Sequence, residues 1–460
     1  MARLLGPRPF GVFALATTIV DILNIIGKGG LTEVLIQRGE TSEEAESTAF
    51  WTTVIFGVFM AVLIAVAGPG LALLYHVPEM SSVCLWLAPT CIVNSMSSIF
   101  EARLRREFRF KLLAGRLTLA SVVANAVAIP LAFFGFGVFS LVVQRAISVL
   151  VQFGATAIGS KWAPRLMFNP RESLGQLRQG SAIVGAALLG VSNQKIIDLI
   201  IGLALGPVPL GYLRIAWRGV DILQQISITA FIPVAMSMFA KLQNDMERLK
   251  AAYIRTVETS ALAMYPMFGV MLAFSGDFIH IFFGNKWDAS VVPMQILTLI
   301  GFVAPLFHYN GIALVAMGRN RLVLIINVIE FIISAACAAW MAERGLIWAA
   351  ASNIVRSLIF VPISIWIMRR ETGLPLSASF TAAWKPFLGA CVLVGAAMAL
   401  RYATGRVMNE FLALVVSLTL AGGLFAVVTW KLSGREIAFL IERSPLAGLF
   451  KRFGLQPRLT

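Results

Sequence analysis

The stretch that decides the fold occurs twice, as ARLLGPRPFGVFALATTIVDIL at residues 2–23 and as GLALGPVPLGYLRIAWRGVDIL at residues 202–223. Aligned without a gap, the two copies share ten of 22 positions, and several shared residues are Gly, Pro or Asp. Shared hydrophobicity alone does not explain identities of those types. The sequence therefore predicts two related halves. Because both copies enter the membrane from the same side, the halves are expected to be parallel repeats about an axis along the membrane normal.

The composition places the chain in a lipid bilayer. Of 460 residues, 58% are hydrophobic and 13% are charged, whereas soluble domains carry about 25% charged residues. Apolar stretches long enough to cross a bilayer, about 20 residues each, recur along the whole chain. We predict an all-α polytopic membrane protein with about thirteen transmembrane helices, near 10–35, 49–75, 82–100, 112–134, 137–158, 181–205, 210–240, 251–274, 290–318, 322–342, 345–369, 384–403 and 411–432.

Cysteine and histidine do not point to a cofactor. The four cysteines lie in apolar stretches without CxxC spacing, and there are only three histidines, so we expect no metal, disulfide or cofactor. The net charge of +15 raises the possibility of a nucleic-acid partner, but the basic residues do not gather on one soluble face. They lie in alternate loops instead, and no nucleic acid is expected to bind.

The loops predict the orientation. One set of loops carries 24 of the 38 Lys and Arg residues and the opposite set carries six, while eight lie within predicted spans. Basic loops stay in the cytoplasm, so the C-terminus is predicted to be cytoplasmic. A segment at 433–453 could form an interfacial amphipathic helix.

The two copies of the repeat also predict the domain organisation. A full helix, 181–205, precedes the second copy, whereas the first copy begins almost at Met1. We therefore expect that a leading helix belongs before Met1 and that the start has been assigned too late. We predict four parts in chain order: an N-terminal lobe at 1–160, a cytoplasmic inter-lobe loop at 161–180, a C-terminal lobe at 181–370, and two extra helices with a cytoplasmic tail at 371–460.

Short motifs spread over the chain resemble those of a known family. They are ARLLGPRPFG at 2–11, LIQRGE at 35–40, STAFW at 47–51, RLRREFRFKLLA at 103–114, GFGVFSLV at 135–142, LGPVPLGYLRIAWR at 205–218, FFGNKWDAS at 282–290 and AMGRNR at 316–321. In this order they resemble the oligosaccharide and polysaccharide flippases, including O-antigen flippases, of the multidrug/oligosaccharidyl-lipid/polysaccharide exporter superfamily. The resemblance implies fourteen helices in total: two lobes of six helices each around a central cavity, and two extra C-terminal helices.

The same resemblance implies a function in the bacterial inner membrane. Such proteins move polyprenyl-pyrophosphate-linked saccharide units from the cytoplasmic to the periplasmic leaflet by alternating access. Membrane lipids, a coupling H⁺ or Na⁺, and polysaccharide polymerase or other assembly proteins are the partners it suggests. A drug or other lipid exporter of the same superfamily remains an alternative. A membrane-integral polymerase or ligase is another, although no HExxH, GxSxG or P-loop pattern is present.

Charged residues within the spans are the candidate site, because a charge at mid-bilayer is costly unless it faces a cavity or a partner. Arg214, Arg218, Asp221 and Gln225 have the spacing of one stripe along a helix, and Asp21, Asn24 and Lys28 form a similar stripe. Arg and Lys suit a pyrophosphate, and Arg donates two hydrogen bonds at once. The predicted anion-binding residues are Arg218, Lys195, Arg214, Lys28, Arg145 and Arg356. The acidic residues predicted to bind a coupling ion or to form structural ion pairs are Asp21, Asp198, Asp221, Glu258 and Glu330.

The sequence alone does not distinguish between two interpretations of these charges. The Arg218–Asp221 and Lys195–Asp198 pairs could form a transport site or could only hold helices together. Arg116 and Arg255 lie near helix ends, where long cationic side chains can reach the membrane surface, and this is the reading we adopt for both.

Overall fold

The regular structure of the described residues is entirely helical, as predicted. It is seen in a computed structural model that describes residues 1–38, 41–404, 416–429 and 431. The helices of the first half of the chain are α1 (Pro7–Gly27), α2 (Leu31–Gln37), α3 (Glu43–Leu74), α4 (Glu79–Arg106), α5 (Phe110–Phe133), α6 (Val138–Ser160), α7 (Pro170–Leu205) and α8 (Pro207–Lys241). Those that follow are α9 (Met246–Ala273), α10 (Ser275–Phe282), a 3₁₀ turn at Asn285–Ser290, α11 (Val291–Thr298), α12 (Ile300–Ala316), α13 (Asn320–Ala342), α14 (Leu346–Thr372), α15 (Ala378–Thr404) and α16 (Val416–Thr429).

These helices account for the predicted membrane spans. Eight are long and apolar enough to cross a bilayer, and four bent pairs of helical segments raise the number of described candidates to twelve. Helix α16 is a shorter apolar helix and corresponds to the described part of the predicted span 411–432. The proposed amphipathic segment 433–453 lies outside the described residues.

Two of the predicted helices are interrupted. The prediction of one helix over 10–35 is wrong, because Gly29 and Gly30 have positive φ angles of 60° and 68° and separate α1 from α2. Only glycine adopts this left-handed backbone without a steric cost. The predicted helix 290–318 is likewise divided into α11 and α12.

Helix α7 begins earlier than predicted. The sequence placed its start at 181, after a loop over 161–180, but the helix starts at Pro170. The Asn169 side chain accepts hydrogen bonds from the backbone N–H groups of Arg171 and Glu172 and so caps the helix. Proline in the first turn loses no hydrogen bond, because the N–H groups there have no helical partner.

The chain divides into two compact units. One comprises residues 1–214 and 334–349, and the other comprises residues 215–333 together with the described part of 350–460. The lobe boundaries predicted from the sequence remain a prediction.

Aromatic side chains form part of the core of the first unit. Phe50, Phe100 and Trp162 pack edge to face, with ring centroids 5.6–6.3 Å apart. Helix α4 carries Phe100 and contacts α1, α3 and α6. The first unit is therefore organised around α4, and this helix connects the polar regions described below.

The second unit is organised around α9, which packs on α12 and α15. At its centre the buried Tyr253 hydroxyl donates a hydrogen bond to Asn310 and lies 3.2 Å from the Ser379 hydroxyl. Asn310 in turn donates to Ser364 at 2.8 Å. These buried polar groups satisfy one another, as they must in a low-dielectric interior.

Candidate functional site

A reciprocal contact joins the two copies of the repeat within the first unit. A Cβ added at Gly11 would overlap the carbonyl oxygen of Pro207, and one added at Gly211 would overlap the carbonyl oxygen of Pro7. Only glycine lets the two backbones approach this closely. The repeated LGPxPxG motif is therefore explained by contact between its own two copies.

Beyond this contact, α1 and the first turns of α8 run in the same direction. Seven residues after Gly11 and Pro207, Arg214 donates a hydrogen bond to the Thr18 hydroxyl at 3.1 Å. The hydrogen bond brings together Thr18 of the first copy and Arg214 of the second copy. The arrangement of the two halves as parallel repeats remains a prediction.

Asp21, one helical turn beyond Thr18 on α1, lies between two cations. Its Oδ1 accepts a hydrogen bond from Arg145 Nη2 at 2.8 Å, and its Oδ2 accepts one from Lys195 Nζ at 3.0 Å. The three side chains come from α1, α6 and α7 and are 28%, 36% and 19% exposed. One carboxylate therefore neutralises only one of the two positive charges that it holds.

A second ion pair adjoins the first. Arg214 donates a hydrogen bond to the Asp198 carboxylate, and the Asp198 side chain is 7% exposed. Asp198 lies one helical turn beyond Lys195 on α7, and Thr18 lies one turn before Asp21 on α1. The two ion pairs are thus neighbours along both helices.

We refer to Asp21, Arg145, Lys195, Asp198 and Arg214 as the ion-pair cluster. Three cations and two carboxylates give it a formal charge of +1. The buried Nε donors of Arg145 and Arg214 make no hydrogen bond among the described residues. The cluster therefore has both an excess positive charge and two buried N–H donors without a partner among the described residues.

Two further polar groups lie close to the cluster. Asn24, one turn beyond Asp21, is 7% exposed, and neither its amide oxygen nor its amide nitrogen has a partner among the described residues. Such a buried amide is normally completed by a ligand, an ion or water. Cys91, buried on α4, lies within electrostatic range of Asp21 and Arg145. No set of three or more His, Cys, Asp or Glu side chains suited to a metal ion occurs in the described ranges.

The predicted stripe of polar residues along α8 is divided between the two units, and the boundary follows Arg214. Arg218, Asp221 and Gln225 lie in the second unit and are all exposed in the protein. Arg218 has no ion-pair partner among the residues described. The proposed Arg218–Asp221 and Lys195–Asp198 pairs are not among the ion pairs that the structure gives, since Lys195 contacts Asp21 and Asp198 contacts Arg214.

Four other predicted residues are not members of the ion-pair cluster. Glu330 and Arg356 form an ion pair of 2.7 Å between α13 and α14, with side chains 19% and 14% exposed. Glu258 is half-buried on α9. Lys28 is half-buried at the end of α1, within electrostatic range of Glu101.

The sequence analysis missed two features of the first unit. Thr18 gives no signal in a sequence, because a lone threonine is common in an apolar helix. The expectation that Arg116 reaches the membrane surface is wrong, because this arginine is 10% exposed and donates to Glu101 at 2.7 Å. Glu101 lies just before three arginines and reads as part of a basic loop, so its pairing with Arg116 is not visible locally.

Solved membrane proteins share this fold. The described chain superposes on the lipid II flippase MurJ in an inward closed conformation with a TM-score of 0.73, 13% identity and 93% of both chains covered. An inward-facing multidrug resistance MATE family transporter of the MOP superfamily gives a TM-score of 0.65 at 16% identity, with 83% of this chain and 93% of the transporter covered. The chain therefore shares its fold with these two proteins.

The family follows from the sequence comparison. Residues 1–292 match the model of a family described as polysaccharide biosynthesis protein, and the chain belongs to that family. The succinoglycan biosynthesis transport protein ExoT of Rhizobium meliloti (strain 1021) is 24% identical over 399 residues, which cover 85% of this chain and 80% of ExoT.

Proposed function

We propose that this chain is a flippase that moves polyprenyl-pyrophosphate-linked oligosaccharides from the cytoplasmic to the periplasmic leaflet of a bacterial inner membrane. The observation that carries the proposal is the ion-pair cluster, with its formal charge of +1 within membrane-spanning helices. Membership of a polysaccharide biosynthesis family, a relative named as a transport protein, and the fold of a lipid flippase support the same function.

The cargo follows from the chemistry of the cluster. A pyrophosphate is a compact anion, and guanidinium groups bind its oxygens with paired hydrogen bonds. Arg145 and Arg214 each retain an unused buried Nε donor, and Lys195 adds a third charge. An organic cation would meet net repulsion here, so the drug-exporter alternative is disfavoured. An enzymatic role is not proposed, because relatives and structural neighbours are named as transporters or flippases.

The two carboxylates suit ion coupling. Protonation of Asp21 would release Arg145 and Lys195 together, because both cations bind this one side chain. The freed cations would then bind the anionic cargo more tightly. Proton uptake and cargo binding would thus be linked through one residue, with Na⁺ as the other candidate ion. Alternating access about the repeats would carry the cargo across.

The orientation proposal rests on the loops. The predicted loops carry 24 basic residues in one set and six in the other, which supports the proposal that the C-terminus lies in the cytoplasm. Polymerase or other assembly proteins that use the delivered saccharide are the partners that this function would require.

Transport in proteoliposomes tests the proposal. The full 460-residue chain is reconstituted with a fluorescent polyprenyl-pyrophosphate oligosaccharide, and arrival in the second leaflet is followed by access to a membrane-impermeant quencher. We expect wild-type protein to move the lipid and Arg145→Gln to lower the initial rate at least about tenfold. A factor of ten corresponds to about 1.4 kcal/mol, within the range of one charge-assisted hydrogen bond.

Arg8→Gln is the matched control. Arg8 also forms an ion pair, with Glu79 at 2.8 Å, but its side chain is 57% exposed and lies outside the cluster. It should transport like wild type. Equal rates for Arg145→Gln and Arg8→Gln would remove the cluster from the mechanism, and export of an organic cation without any movement of lipid-linked saccharide would overturn the cargo assignment.

A further inference from the structure

A second polar site lies at the C-terminal end of α4, in the segment RLRREFRF at residues 103–110. It is a cavity of about 770 Å³ where the end of α4 and the start of α5 meet the first turn of α3. We call it the arginine pocket, and its charged and aromatic lining residues are Glu46, Arg103, Arg105, Arg106, Glu107, Phe108 and Phe110. Along α4, Arg103 is twelve residues from Cys91, or about 18 Å at 1.5 Å per residue. The pocket is therefore separate from the ion-pair cluster.

The carboxylates in and around this pocket are shared by arginines. Glu46 is 5% exposed and contacts both Arg103 and Arg106, so one negative charge faces two positive ones. Arg105 is 46% exposed and contacts Glu101 through Nη2. No hydrogen bond from its Nε or Nη1 is found among the described residues, so Arg105 can bind an anion without giving up its present partner.

Glu101 is also shared between two arginines. Glu101, the partner of Arg105, also accepts a hydrogen bond from Arg116. Glu107, which also lines the pocket, lies 3.8 Å from Arg103 and 3.7 Å from Arg109. In these ion pairs five arginines face three carboxylates, an excess of two positive charges. The region therefore attracts anions, and the guanidinium geometry favours the oxygens of a phosphate.

Phe108 gives the pocket an apolar rim. Its φ angle is 53°, in the left-handed region that bulky side chains rarely occupy, yet its ring is 79% exposed. The ring contacts Phe110, which is 55% exposed, at a centroid distance of 6.1 Å. Non-glycine residues held in this backbone region cluster at functional sites.

The position of the pocket in the membrane indicates its ligand. Helices α4 and α5 are consecutive candidate spans, and residues 107–109 connect them. The connection therefore lies at a membrane surface, where exposed phenylalanines insert into the boundary between headgroups and acyl chains. We propose that the arginine pocket binds the phosphate-bearing headgroup of a membrane lipid, with Phe108 and Phe110 against its acyl chains.

Two lipids carry this chemistry, an anionic phospholipid and the lipid-linked cargo itself. The phospholipid arm is independent of the proposed function, because headgroup binding is measured without transport. Purified full-length chain in detergent is titrated with fluorescent phosphatidylglycerol and, separately, with the fluorescent polyprenyl-pyrophosphate oligosaccharide. Binding is read from fluorescence anisotropy, and thermal unfolding of each variant is recorded in parallel.

Arg105→Gln and Phe108→Gly are the test variants. Arg105→Gln removes the half-exposed cation and leaves Glu46 with both of its arginines, and we expect the Kd for the bound lipid to rise at least about fivefold. Phe108→Gly should also raise the Kd, while its Tm stays the same or increases, because glycine adopts the left-handed backbone without strain. A purely structural Phe108 would give no change in lipid binding.

Arg171→Gln is the control, since Arg171 is exposed, carries the same charge and lies outside the pocket lining. A loss confined to phosphatidylglycerol assigns the pocket to the phospholipid, and a loss confined to the polyprenyl lipid assigns it to the cargo. If Arg105→Gln and Arg171→Gln bind both lipids equally well, the proposal is overturned.

Discussion

The Lys195 ammonium donates a hydrogen bond to the Asp21 carboxylate at 3.0 Å, which joins two residues that are 174 positions apart in the chain. Arg145 occupies the other oxygen of the same carboxylate. The Asp21 carboxylate therefore links α1 to α6 and to α7 through two hydrogen-bonded ion pairs.

Replacement of Asp21 by asparagine should destabilise the protein and impair transport. Arg145 and Lys195 would lose their shared counter-charge in a half-buried site. We expect a loss of about 1–3 kcal/mol, below the roughly 3–5 kcal/mol of a fully buried pair, because the Asp21 side chain is 28% exposed. Thermal unfolding in detergent, followed by tryptophan fluorescence, measures it. An unchanged Tm would show that the two cations are solvated and that the carboxylate does not hold them.

Asp198→Asn should be more damaging than Asp21→Asn. The Asp198 side chain is only 7% exposed, and its loss leaves Arg214 without its carboxylate. A double variant, Asp198→Asn with Arg214→Met, should recover part of the lost Tm, because the methionine removes the buried positive charge that Asp198→Asn leaves without a counter-charge. The same double variant should remain defective in transport, since it lacks the arginine. No recovery of Tm would contradict a simple ion pair between these two residues.

The crossing of the two repeats predicts a strong steric effect at Gly11. A methyl group there would overlap the Pro207 carbonyl oxygen, so Gly11→Ala should cost about 1–3 kcal/mol, as overpacking does. Gly211→Ala should behave in the same way. Gly6→Ala is the matched control, because nothing lies within 4 Å of a Cβ at Gly6. Equal Tm values for Gly6→Ala and Gly11→Ala would contradict the close contact of the two copies.

Arg116 and Glu101 should be energetically coupled. Their side chains are 10% and 17% exposed and their charged groups are 2.7 Å apart. A double-mutant cycle with Arg116→Gln and Glu101→Gln should give a coupling above about 1 kcal/mol. The exposed pair Arg8–Glu79 should give less than about 1 kcal/mol. A coupling near zero for Arg116 and Glu101 would restore the idea that Arg116 reaches the membrane surface.

The membrane class and the repeat were predictable because both depend on local sequence. Hydrophobicity over about 20 residues is sufficient to place a span, and the repeated LGPxPxG motif can be recognised by alignment alone. Interruptions were harder to predict. Gly29–Gly30 ends α1 within an otherwise apolar run, and the Asn169 cap starts α7 in a segment that reads as a loop. In both cases a few residues with special backbone preferences outweigh the average hydropathy.

The sequence by itself identified the charged residues of the cluster, because ionisable side chains are rare within apolar spans and stand out there. Only the tertiary structure decided their partners. Helical spacing suggested Lys195 with Asp198, but Lys195 contacts Asp21 and Asp198 contacts Arg214. The physical reason is that ion pairs form between side chains that packing brings within a few ångströms, and the close contact of Gly11 with Pro207 is one of the contacts that pack α1 against α8. Sequence spacing describes one helix, whereas the site is made by four.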